Sequence, residues 1–292
     1  MASKVVHFFS DGHKIEADYQ VPDGYKPGDR IPALVLCAGF GSARNLIVPD
    51  YAKHFVGAGF ATLGFDYRGF GGSEGDSTRI IANESVADIR AALTWLSLQP
   101  EVDADRLGIW GTSGGGAHTV TVMGLDERAK AGVAQVGYCD GYRLVMEHKS
   151  PEDQAKLLAE IDADRKQRVL SGKSGTMRVI DLLANPDTRN FVLEEAKTNP
   201  SIIAYLTYES TESTLEYRPI DAIDRIGNRA IMFIAAEKDD LCFPDSNFRP
   251  AFDKATGPKK WLSYPLGHYE IYAPEWCKKS ADEAIAWFRE HL

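Results

Sequence analysis

Leu107-Gly-Ile-Trp-Gly-Thr-Ser-Gly-Gly-Gly-Ala-His-Thr-Val-Thr-Val-Met123 decides how the chain is read. An apolar run ends at Thr112, breaks at a serine set among glycines, and continues as a helix-like segment. A serine held on a sharp strand-to-helix turn needs small residues two positions to either side, so that the chain can double back. Gly111 and Gly115 occupy those positions. The turn presents the Ser113 hydroxyl at the strand's end and sets the first unpaired amides of the new helix beside it, where they can stabilise an anion.

The Gly-x-Ser-x-Gly pattern has a second match, Gly71-Gly-Ser-Glu-Gly75. The nearest apolar run, Ala61 to Asp66, stops well before it, and Tyr67-Arg-Gly-Phe-Gly71 intervenes. No strand feeds that turn, so Ser73 reads as a loop serine and Ser113 as the candidate nucleophile.

A chain of 292 residues can bury a large core. A net charge of -9 argues against a nucleic-acid surface and a polybasic membrane anchor. Met1 to Ser10 lacks the apolar core of a signal peptide, and no apolar run is long enough for a membrane span, so a cytoplasmic location is the expectation. Cys37, Cys139, Cys242 and Cys277 are scattered without metal-ligand spacing, which suits reduced, packed thiols. Neither a metal nor an organic cofactor is expected.

Along the chain, Lys4 to Ser10 and Ile15 to Gln20 flank Asp11-Gly12, a hairpin signal. Ala33 to Ala38 is a continuous apolar strand, Pro49 to Gly59 a helix, Ala61 to Asp66 a strand and Asn83 to Leu98 a helix. Leu107 to Thr112 and Gly132 to Val136 are further strands. This alternation predicts a mostly parallel sheet flanked by helices. From Asp140 to about Pro219 the strand signal vanishes, leaving helix-like stretches at Pro151 to Leu170, Asp187 to Lys197 and Ser201 to Tyr208. Strands resume at Ala230 to Ala236 and Lys260 to Tyr264, and Ser280 to Glu290 closes the chain as a helix. The expected division is a core of residues 1–137 and 219–292, with 138–218 a helical cap inserted after the sixth strand.

A serine hydroxyl needs a base, and the base an acid behind it. Ala230 to Ala236 runs into Glu237-Lys-Asp-Asp240, and Lys260 to Tyr264 into Pro265-Leu-Gly-His268. The order Ser113, Asp239, His268 resembles that of the α/β-hydrolase triad, although Asp240 also stands at the strand's end. With Asp66 to Ser73, Pro244 and the tyrosines at 269 and 272, the chain is similar to the dienelactone-hydrolase-like and X-prolyl-peptidase-like branches. That resemblance implies an α/β-hydrolase fold and backbone amides of Phe40 and Gly114 as oxyanion donors. Many such enzymes have His-Gly where this chain has Ala38-Gly39-Phe40, a change that a backbone donor survives.

The expected activity is therefore hydrolysis of a small or medium carboxylic ester through a serine acyl-enzyme. Peptide, amide, thioester or carbon-carbon cleavage would use the same triad, and a non-catalytic ligand-binding relative is a rival of another class. Among the other histidines, His118 in the elbow helix is the one to test for pocket contact. Tyr138, Tyr142, Tyr205 and Tyr208 either line a pocket beneath the insertion or pack its helices. The partner is a small-molecule substrate; the sequence leaves monomer and homodimer open.

Overall fold

The computed structural model describes residues 2–26, 28–183, 185–195, 197 and 204–292. Strands β1 (Ala2–Ser10) and β2 (His13–Val21) form the expected antiparallel hairpin, with Ser10 opposite His13. Asp11 and Gly12 have φ of 46° and 84°, the positive pair that a tight two-residue hairpin requires. Strands and helices then alternate as β3 (Ile31–Cys37), α1 (Val48–Gly57), β4 (Ala61–Phe65), α2 (Ala82–Ser97), β5 (Val102–Thr112), α3 (Gly114–Leu125) and β6 (Ala129–Gln135).

Between β6 and the next strand of the main sheet lie α4 (Gly141–Met146), α5 (Pro151–Ser171), β7 (Thr176–Arg178), α6 (Val179–Leu182), α7 (Pro186–Glu195), β8 (Tyr205–Thr207) and α8 (Tyr208–Glu216). The chain returns with β9 (Ala230–Ala236), α9 (Arg249–Lys254), β10 (Lys259–Tyr264) and α10 (Pro274–His291). Eight strands form one sheet in the order β1-β2-β4-β3-β5-β6-β9-β10, parallel from β4 to β10. All residues of β4 and β9 are buried, as in a sheet covered on both faces. The flanking helices pair α1 with α10 and α2 with α3. Beneath α1, Tyr51 stacks on Trp110 of β5 with ring centroids 4.1 Å apart.

The insertion is less uniformly helical than its composition suggests. Tyr205–Thr207, expected within a helix from Ser201 to Tyr208, pairs instead as β8 with β7; positions 201–203 lie outside the described residues. The Tyr-Leu-Thr composition suits a strand, and the Thr207 side chain accepts from the Ser210 amide, so the helix begins only at Tyr208. By contrast, α5 has the boundaries its sequence implies, capped by Ser150, opened by Pro151 and ended by left-handed Gly172. Helix α7 covers most of the expected 187–197 segment, of which 196 is outside the described residues. Helix α10 begins at Pro274, earlier than its apolar spacing shows, because proline is at home in a first helical turn.

His118, on α3, is buried with its Nδ1 3.0 Å from the Tyr217 hydroxyl, which in turn donates to Thr121 Oγ1. Burial pulls its pKa down to about 4. The unfolded chain titrates this histidine near its ordinary value of about 6.5. Its contribution to stability is therefore intact above pH ~6.5 and lost progressively as the pH falls toward 4. Urea unfolding at pH 7 and pH 5 should show a smaller acid-induced loss for His118→Gln than for the parent chain.

Candidate active site

Ser113 sits between β5 and α3 with φ 55° and ψ -121°, a conformation that costs a non-glycine residue about 1–3 kcal/mol. Its surroundings enforce the strain. The Ser113 amide donates to the Gln135 carbonyl of β6 at 2.9 Å, while the Ser113 carbonyl accepts from Gly116 and Ala117 as the helix begins. A Cβ on Gly111 would fall 2.2 Å from the Gly115 carbonyl oxygen, and one on Gly115 would fall 2.3 Å from that of Cys37. Both glycines are therefore required by close backbone approach.

Asp239 and His268 are neighbours because the strands before them are. β9 and β10 pair in parallel up to Ala236 opposite Tyr264, and beyond them the Glu237 and Lys238 amides donate to the Tyr264 and Leu266 carbonyls. Two loops leaving one rim are thus stitched together. His268 Nδ1 lies 2.7 Å from Asp239 Oδ2, and its Nε2 lies 3.1 Å from Ser113 Oγ. Asp239 Oδ1 accepts from the Leu241 and Cys242 amides at 2.9 and 2.8 Å, so the buried carboxylate is held through both oxygens. Asp240 points elsewhere, accepting from Asn185 Nδ2 at 2.8 Å.

Phe40 and Gly114 approach each other beside the serine: the Phe40 amide nitrogen lies 2.9 Å from where a Gly114 Cβ would stand. The Gly114 amide opens α3 and has no carbonyl one turn back to bond. The cavity next to Ser113 is small, about 60 Å³. It is walled by Leu46 and Ile47 before α1, by Val179, Leu183, Phe191 and Val192 of the insertion, and by Tyr269 and Tyr272 after His268. Phe191 stacks on Tyr269 with centroids 4.1 Å apart, and the Tyr272 hydroxyl lies 2.8 Å from Thr112 Oγ1.

Among the described residues, one side-chain group has metal-ligand geometry: Asp239, Cys242 and His268, with ligand atoms within 4.8 Å. Burial pushes the Cys242 thiol well above its ordinary range, and the Asp239 and His268 atoms face each other. An ion entering there would have to break that pair.

Other candidates lie apart. His118 does not line the cavity at Ser113. Of the tyrosines of the insertion, Tyr138 packs on Tyr217, Tyr142 is exposed, and Tyr205 and Tyr208 line a separate cleft of about 960 Å³ with His148 and Asp240. Ser73 is a loop residue whose Oγ donates to the Asp66 carbonyl. The apolar residues that close the cavity from α6, from Leu183 just after it and from α7 carry no motif; their signal in α7 is the short apolar run Phe191-Val192-Leu193.

The family model for X-Pro dipeptidyl-peptidase (S15 family) matches residues 11–235. The chain belongs to that family. It is 29% identical over 288 residues to an Escherichia coli protein of 31.7 kDa from the traX-finO intergenic region, with 98% of each chain covered. The quorum-quenching protein AidA of Acinetobacter baumannii is 27% identical over 86% of this chain and 84% of its own. The thiohydrolase aneE of Aspergillus aculeatus is 24% identical over 85% and 84%. In fold, the chain is similar to the alpha/beta hydrolase GrgF of Penicillium sp. sh18, with a TM-score of 0.84 over 100% and 99% of the chains at 20% identity. The S15 chain is thus an enzyme of the hydrolase class built on the α/β-hydrolase fold. Among its described residues no helix is long and apolar enough to cross a membrane.

The packing at Gly115 yields a direct test. Gly115→Val places side-chain atoms against the Cys37 and Ala38 carbonyls and should destabilise the fold by more than about 3 kcal/mol. Urea denaturation, or loss of soluble protein, reads the effect.

Proposed function

We propose that the chain hydrolyses small carboxylic esters through an acyl-enzyme on Ser113. The observation that carries this reading is the hydrogen-bonded line from Asp239 through His268 to Ser113. His268 Nε2 takes the Ser113 proton as Oγ attacks the ester carbonyl. The tetrahedral oxyanion accepts from the Phe40 and Gly114 amides. On collapse, His268 delivers the proton to the departing alcohol, and then removes one from the water that attacks the acyl-enzyme. Asp239 holds the imidazole through Nδ1 and stabilises its charged form throughout. Residues 138–218 serve as the cap that shapes the acyl pocket.

The pocket argues for an ester over a dipeptide. Among the described residues no carboxylate lines it, and a peptide's free ammonium would be buried there without a counter-charge. Its walls suit an uncharged apolar acyl group, and the space of about 60 Å³ suits a short one. A thioester is the second reading, favoured by the similarity to aneE, and would use the same groups.

Against p-nitrophenyl esters of graded length, turnover should be greatest for acetyl to butyryl groups and fall sharply by octanoyl. Phe191→Ala, which removes a wall of the cavity, should move that optimum toward longer acyl groups. Ser113→Ala should lower kcat about 10⁶-fold and abolish labelling by a fluorophosphonate. Near-normal turnover in that variant would remove the mechanism.

A further inference from the structure

Asp66, directly after β4, is wholly buried yet belongs neither to the proposed triad nor to the cavity wall. Its Oδ1 accepts from the Arg44 amide at 2.7 Å; its Oδ2 accepts from the Gly72 amide at 3.0 Å and from Arg44 Nη1. Arg44 also donates through Nε to Asp18 at 3.0 Å and through Nη2 to Glu16 at 2.7 Å. The second Gly-x-Ser-x-Gly stretch wraps this carboxylate. A Cβ on Gly71 would fall 2.1 Å from Asp66 Oδ2, and Ser73 Oγ donates to the Asp66 carbonyl while accepting from the Glu16 amide.

Arg44 belongs to the loop that carries Phe40. That loop leaves β3 after Cys37, turns through Gly41 at φ 64°, and is not part of a helix or strand until α1. Burial raises the Asp66 pKa despite Arg44 and the two amides. A buried ion pair of this kind is a poor source of net stability, and its attested use is to fix one arrangement over others.

Building on the reading of Phe40 as an oxyanion donor, we propose that the Asp66–Arg44 pair is a positioning device that fixes loop 39–44 and so aims the Phe40 amide. Asp66 and Arg44 touch no substrate atom. They act by holding a donor within the narrow distance at which it stabilises the oxyanion, where a displacement of about 1 Å costs on the order of 100-fold.

A second buried pair supplies the control. Arg68 donates to Asp88 through its amide at 3.0 Å and its Nη2 at 2.6 Å, tying loop 66–75 to α2 without contacting loop 39–44. Asp66→Asn, Arg44→Lys and Asp88→Asn are compared by ester kinetics normalised to end-point fluorophosphonate titration. Inhibition by a trifluoromethyl ketone, whose serine adduct carries an oxyanion, is read alongside. In Asp66→Asn and Arg44→Lys, kcat per titrated site should fall about 10- to 100-fold with KM changed less than about twofold, and ketone affinity should weaken by the same factor. Asp88→Asn should lower the urea midpoint while keeping the parent kcat. Parent kcat per site in both Asp66→Asn and Arg44→Lys, or an equal loss in Asp88→Asn, overturns the proposal. If Asp66→Asn does not fold, Arg44→Lys, which keeps the charge and loses the fork, decides alone. Absence of a Ser113 adduct in the parent chain would instead bring down the hydrolase reading beneath it.

Discussion

The structure turns on the backbone of one residue. At φ 55° Ser113 occupies a region that side chains avoid, and the surrounding contacts leave it no relaxed alternative. Gln135 of the neighbouring strand takes its amide, the first turn of α3 takes its carbonyl, and the β3 carbonyls crowd Gly115 so closely that helix and sheet cannot separate. Relaxing the serine would mean unpicking β5 from β6 or lifting α3 off the sheet. The bend survives because core packing around Trp110, Tyr51 and Phe55 offsets its strain.

Geometry at the rim follows from the same sheet. Parallel pairing makes successive strands end at one edge, and the β9–β10 register carries Asp239 and His268 past that edge side by side. Three residues far apart in sequence meet because strand ends meet. This is why a carboxylate or an imidazole immediately beyond a strand is more informative than its residue type alone. Asp239 and Asp240 differ by a single step along the backbone, yet one faces the imidazole and the other a side chain of the insertion.

Much of this is legible in the sequence. Apolar runs bounded by glycine and proline marked the strands, and small residues flanking Ser113 marked the bend, because both are local consequences of sterics and burial. The insertion was legible only in part. Its apolar cavity-facing residues, Val179 of α6, Leu183 just after it, and Phe191 and Val192 of α7, sit on short elements whose faces are set by tertiary packing. Strand β8 departs from the helix its sequence suggests because three residues are too few for either period to register, and Thr207 acts as a cap only once Tyr208 has started the helix. The task of Ser73 was equally hidden, since nothing local records that loop 66–75 folds around Asp66.

β6 and β9 are adjacent in the sheet, although the whole insertion separates them in the chain. The segment's entry and exit are nonetheless held side by side, because the Ile220 amide donates to the Cys139 carbonyl at 3.0 Å and the Gly141 amide to the Tyr217 carbonyl at 2.8 Å. Closure entropy rises only slowly with the length of such an excursion, so residues can be gained, lost or exchanged there at modest thermodynamic expense. Change along the cavity wall beside Ser113 is thereby uncoupled from preservation of the scaffold, and a foreign segment can be grafted between these two anchor points without altering a strand of the main sheet.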